Sequence, residues 1–131
     1  MLASSLLILA ATVPALAQVE ITKSINLRNS KLCLDNKDGN QSDGNRLQVA
    51  NCDSSGDQQW NWVKVQSEGD QLYNIKLDNT DKCLAYKVPD QEHGSASGAP
   101  VVLASCNSDP KSYYVKWRWD KDWICSGVGE F

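Results

Sequence analysis

The stretch LCLDNKDGNQSDGNRLQVANCDSSGDQQW, from Leu32 to Trp60, decides how the rest of the chain reads. Asp38-Gly39, Asp43-Gly44-Asn45 and Ser55-Gly56-Asp57 punctuate it as turns. Between them RLQVANC alternates apolar and polar positions, the pattern of a half-buried strand. Two cysteines, Cys33 and Cys52, bracket the hairpin this implies. Past the second, Gln58-Gln59-Trp60 opens the segment WNWVKV, which alternates as well.

The pattern recurs further along the chain. INLRNSKLCLDN from Ile25 lies over IKLDNTDKCLAY from Ile75 at a constant offset of 50 residues, with isoleucine, leucine, asparagine, cysteine and leucine coinciding. NRLQVANC ending at Cys52 then lies over APVVLASC ending at Cys106, and QQWNW over VKWRW. The second copy is longer between its cysteines, and PDQEHGSASG is where the insertion is expected, in an exposed loop. Each copy reads as four short strands, with SINLRN, LYNIKL, RLQVANC, WNWVKV and YVKWRW among them. No helical periodicity competes, so the fold class is all-β, built from a repeated four-strand unit.

Around this repeat, composition sets bounds. The chain has 131 residues and a formal net charge of -3, which suits one domain and argues against a nucleic-acid or polyanion partner, which would want a basic patch. LLILAATVPALA near the start is too short to span a bilayer and ends in Ala15-Leu16-Ala17. It predicts a signal peptide over residues 1–17 and a secreted, extracellular domain over 18–131. Repeat one is placed at about 21–66, repeat two at about 70–119, and a remnant at 120–131. His93 falls in the loop QEHGSASG with no second ligand beside it. The aspartates lack EF-hand spacing, so neither metal nor cofactor is expected. No serine sits in a nucleophile motif, and the turn aspartates read as solvated rather than as a glycosidase pair, so no catalytic residue is assigned.

Secretion makes disulfides the expectation for the five cysteines. Spacing alone does not fix connectivity, but each unit holds two cysteines in register, so Cys33–Cys52 and Cys83–Cys106 are expected to staple the two units, leaving Cys125. A disulfide closing a loop of about 20 residues contributes roughly 3 kcal/mol. In W-x-W both indoles point to one face of a strand. Burying an indole, about 200 Å² at about 25 cal/mol per Å², is worth several kcal/mol before ordering entropy is subtracted. Trp60 and Trp117 are therefore the expected core anchors.

C-L-D, the D-G loop, the G-N turn, the L-Q-V strand before Cys52 and the Q-Q-W that follows resemble one unit of the ricin B-type lectins, the β-trefoil family that includes carbohydrate-binding modules of xylanases. The resemblance runs from Ile21 to about Trp119. It implies a β-trefoil, and a sugar site made by Asp35 (the aspartate after C-L), Asp38 in the D-G loop with Gly39, Gln48 on the L-Q-V strand, Asp57 just before Q-x-W, and Gln58. An ionised carboxylate suits vicinal sugar hydroxyls through charge-assisted hydrogen bonds. Asn40-Gln41-Ser42 is an N-glycosylation sequon beside that site.

The sequence departs from the family pattern in two ways. Ala50 and Ala104 stand where the family places a sugar-stacking aromatic, and Ala85 stands where the second copy should have its aspartate. Binding is therefore expected in the first repeat only. A β-trefoil also closes with three units, and only DKDWICSGVGEF follows the second, enough for one strand with Trp123 and Ile124 inward. Truncation, pairing with another chain through Cys125 or open strand edges, and an open incomplete trefoil are all consistent with that. The resemblance implies a lectin or stand-alone carbohydrate-binding module for galactose- or xylose-type glycans. The other reading, a β-trefoil protease inhibitor or effector that has lost sugar binding, draws on the missing aromatics.

Overall fold

A computed structural model describes residues 21–65, 71–89, 98–120 and 123–126. The expected signal peptide, His93 and most of the expected insertion lie outside the described residues. Ten strands form: β1 Ile21–Lys23, β2 Leu32–Asn36, β3 Asn45–Asn51, β4 Trp60–Val65, β5 Leu72–Leu77, β6 Lys82–Lys87, β7 Val101–Ser105, β8 Tyr113–Tyr114, β9 Trp117–Asp120 and β10 Trp123–Ser126. Two short 3-10 turns, Lys37–Gly39 and Gly56–Gln58, complete the described secondary structure. The fold is all-β, as expected.

Among the described residues all pairings are antiparallel. One ladder runs β1-β4-β5-β9-β10. Hairpins β2–β3 and β6–β7 form a second ladder through β3 and β7, where Asn45 faces Leu103 and Arg46 faces Val102. The ladders meet where Lys76 faces Cys83. Disulfides Cys33–Cys52 and Cys83–Cys106 span 19 and 23 residues, one in each unit. Cys125, on β10, is free.

At one turn and one tryptophan of each unit the repeat matches hydrogen bond for hydrogen bond. Asn29 and Asn79 both take φ 56, a left-handed turn that asparagine tolerates. One residue later Ser30 Oγ donates to Leu27 O and accepts from Leu32 N, and Thr80 Oγ1 donates to Leu77 O and accepts from Lys82 N. Trp60 Nε1 on β4 donates to Leu34 O of β2 at 3.2 Å, and Trp117 Nε1 on β9 donates to Leu84 O of β6 at 2.8 Å. Each indole thus leaves the long ladder and fastens a hairpin over it. Trp60, Ile75, Leu77, Leu84, Tyr86, Leu103 and Trp117 make the main core between the ladders. Trp62 and Trp119 share the face of their partners, yet Trp62 is half-buried and Trp119 is 49% exposed.

Two strand expectations change. SINLRN forms no strand. It makes only the bridge Asn26–Cys33, with Leu34 N on Ile25 O and Leu27 N on Leu32 O, and the strand that pairs with β4 lies earlier, at Ile21–Lys23. YVKWRW is interrupted between β8 and β9. Of the tail, β10 pairs with β9 and Ile124 packs against the core.

Asp43 stitches the two units. Its Oδ1 lies 2.6 Å from Lys82 Nζ and accepts from Ser105 N at 2.9 Å. The Lys82 hydrogen bond, helped by that N–H, holds the carboxyl below its ordinary range.

Candidate functional site

The register of the β2–β3 hairpin sets Asp35 directly opposite Gln48, so both side chains stand on one face. Gln48 Nε2 donates to Asp35 Oδ1 at 2.8 Å. The 3-10 turn Gly56–Gln58 brings Gln58 to the other oxygen, where its Nε2 donates to Asp35 Oδ2 at 3.0 Å. Gln58 is 1% exposed and fully used. Its second amide hydrogen goes to Asn51 O at 2.9 Å, and its Oε1 accepts from Asp53 N at 2.9 Å. Asp53 in turn is held below the ordinary carboxylate range by the Ser55 N–H. Asp35 is 8% exposed, while Gln48 is exposed. Each Asp35 oxygen, with one amide satisfied, keeps a lone pair for a ligand hydroxyl.

Asp57 stands one residue before Gln58, half-buried. Asn36 Nδ2 reaches its Oδ1 at 3.4 Å, and Asn45 Nδ2 donates to Asn36 Oδ1 at 2.9 Å and to Lys37 O at 3.0 Å. Asn36 is wholly buried. This relay locks the turn at Lys37–Gly39 over the Asp57 carboxylate. Asp38 and Gly39 both have left-handed φ, 59 and 62, and a β-carbon on Gly39 would lie 3.5 Å from Asp57 Oδ2. Asp38 itself is exposed at the turn. The expected residues therefore fall on adjoining pieces: Asp35 and Gln48 on the hairpin, Asp57 and Gln58 on one turn, Asp38 on the other. Asn36 and Asn45, which orient them, were not among the sequence candidates. Asn45 belongs to the G-N turn and Asn36 follows the aspartate, but their link depends on loop geometry. Ala50 is half-buried opposite Cys33. Asn40 is exposed, its Oδ1 accepting from Ser42 N at 2.9 Å.

The second unit supplies an internal comparison. Ala85 faces Val102 as Asp35 faces Gln48, and Val115 precedes Trp117 by the interval that separates Gln58 from Trp60. All three are buried, at 0%, 2% and 7% exposure, in an apolar cluster with Cys83 and Ala104. The loop N–H that Gln58 serves in unit one, Asp53 N, corresponds to Asn107 N, which instead turns to Ser105 Oγ at 3.4 Å. The same backbone is thus built once around a hydrogen-bonded Asp-Gln-Gln group and once around Ala, Val and Val.

Among the described residues no cluster of His, Cys, Asp and Glu is grouped to hold a metal ion, and no helix is long and apolar enough to cross a membrane.

The sequence model of the ricin-type β-trefoil lectin domain matches residues 21–126, and the chain belongs to that family. Comparison with curated proteins and with solved structures gives no match.

Proposed function

We propose that this chain is a secreted carbohydrate-binding protein, a lectin or stand-alone binding module, that takes a galactose- or xylose-type glycan through its first unit. Asp35 and Asp57 accept from sugar hydroxyls, Gln48 and Gln58 hold Asp35 in place, and Asp38 borders the pocket. One observation carries this reading. Unit two folds with apolar side chains at the positions of Asp35, Gln48 and Gln58, so the polar group is not a requirement of the scaffold. A buried polar network that the fold can do without is better explained by a ligand.

Residues 1–17 are read as a secretion signal, and the two disulfides suit the oxidising compartment it leads to. Asn40 is an exposed acceptor for a glycan in a eukaryotic host. Cys125 and the outer edges of β1 and β10 are routes to a partner chain. A β-trefoil protease inhibitor or effector is the second reading, favoured by the small Ala50 where an aromatic would stack. The test is a glycan array of residues 18–131, oxidatively folded, beside the triple variant Asp35→Ala, Gln48→Val, Gln58→Val. Galactose- or xylose-type binding by the parent and its loss in the variant support the reading. A folded parent that binds no such glycan but inhibits a protease would replace it.

A further inference from the structure

Away from Asp35, a second set of side chains faces an opening in the long ladder. Trp62 packs edge-on against Tyr73 and Trp119, with ring centroids 6.0 and 5.5 Å apart. Ile21, Lys23 and Gln71 complete a cleft of about 430 Å³ with them. A second cleft of about 390 Å³ adjoins it, sharing Lys23, Trp62 and Trp119 and adding Arg28, Leu27 and Ile124 among its lining. Each is within the roughly 300–1,000 Å³ of small-ligand sites.

Two features specify an occupant, the exposed face of Trp119 and the charge around it. The edge-on packing leaves Trp119 49% exposed, an indole able to stack on a flat apolar ring face. Trp62 Nε1 is buried, with no acceptor among the described residues. Among the described residues, the charged side chains lining the two clefts are Lys23 and Arg28, both cations, in a chain whose net charge is -3. Lys23 Nζ sits 5.1 Å from the Trp62 ring centroid and 5.5 Å from that of Trp119, at the boundary of the two clefts.

From these we infer a second binding site, for an acidic glycan: a pyranose ring stacked on Trp119 and its carboxylate on Lys23. A uronate-containing oligosaccharide fits, with a further carboxylate within the reach of Arg28. The site shares no residue with the Asp35 group, so it stands or falls separately from the first-unit reading.

The test is calorimetric titration of the oxidatively folded first-unit triple variant, whose neutral-sugar site is removed, with a galacturonate oligomer and with the neutral galactose oligomer of equal length, with tryptophan fluorescence recorded alongside. The expected result is acid-selective binding that weakens as salt is added and changes the tryptophan emission. Lys23→Met should lower affinity for the acidic oligomer about tenfold and erase the selectivity. Trp119→Ala should lower it by about tenfold for lack of stacking, with near-ultraviolet circular dichroism confirming that both variants are folded. The first-unit triple variant should bind the acidic oligomer like the parent. Equal binding of both oligomers, no binding, or loss in the first-unit variant alone would overturn the inference. So would a dimer that Trp119→Ala dissociates in a chain deaf to uronate, since a second copy would then be the occupant.

Discussion

Removing one side chain from the Asp35 group should do more damage than replacing three. Asp35→Ala deletes the acceptor of two amides. Gln48 is exposed and can turn to water, but Gln58, 1% exposed, is left with a buried N–H that has no partner. An orphaned buried donor costs about 1–3 kcal/mol, whereas replacing all partners with apolar groups of suitable shape is nearly neutral. The triple variant Asp35→Ala, Gln48→Val, Gln58→Val recreates the Ala85, Val102, Val115 arrangement that unit two already tolerates. It gives up the Gln58 bonds to Asn51 O and Asp53 N, but both belong to exposed residues that water can reach. The expected cost of the triple is below about 1 kcal/mol. At roughly 4 °C per kcal/mol for a domain of this size, Asp35→Ala lowers Tm by about 4–12 °C and the triple by less than about 4 °C. Thermal unfolding with the disulfides intact reads this directly. A triple variant as unstable as the single, or more so, would refute the argument that the polar group is dispensable to the fold.

Other expectations follow from the same contacts. The Asp43 carboxyl is held below its ordinary value by Lys82, so its contribution is present above the unfolded value of 3.8 and is lost as pH falls through the lower folded value. Asp43→Asn should therefore cost at neutral pH, by less than about 1 kcal/mol because the pair is partly exposed. The gap to the parent should close in strong acid and shrink with salt, as followed by urea unfolding across pH. Gly39→Ala puts a side chain at φ +62 and should cost about 1–2 kcal/mol, displacing the turn over Asp57 so that sugar affinity falls with stability in paired melting and binding assays. Trp60→Ala removes a fully buried indole and should cost about 3–5 kcal/mol, enough to show as loss of the cooperative melting transition. Removing Cys33–Cys52 by a double Ser substitution should cost about 3 kcal/mol, read as a lowered urea midpoint.

Much of this architecture was legible in the sequence because the repeat and the two-residue alternation are both strong signals. WNWVKV and LYNIKL became β4 and β5, and the cysteines paired within their units. SINLRN misled because Ile25 and Leu27 alternate like a strand, while the backbone there only closes around the left-handed Asn29. The true β1 is exposed throughout and carries no burial signal. W-x-W placed both tryptophans of each copy on one face, and the expected anchors Trp60 and Trp117 are the buried ones. Trp60 and Trp117 lie beneath hairpins whose carbonyls they bind, and Trp62 and Trp119 lie two residues further along, past that cover. At the site, Asp35 beside Gln48 follows from hairpin register. The relay from Asn45 through Asn36 to Asp57 is set by how two turns meet, which no local pattern encodes. The apolar residues of unit two were legible in the same alignments, which set Ala85 against Asp35, Val102 against Gln48 and Val115 against Gln58; their packing together with Cys83 and Ala104 was not.

The central claim is that a neutral sugar sits on the first unit's polar group and not on its apolar twin. Titrating the isotopically labelled, oxidatively folded chain with galactose and xylose oligomers, and following amide chemical shifts, tests it most directly. The account predicts shifts at Asp35, Gln48, Asp57 and Gln58, the Gln48 side-chain amide included, with Ala85, Val102 and Val115 unmoved. Shifts in the second unit, or none with any such sugar, would contradict it.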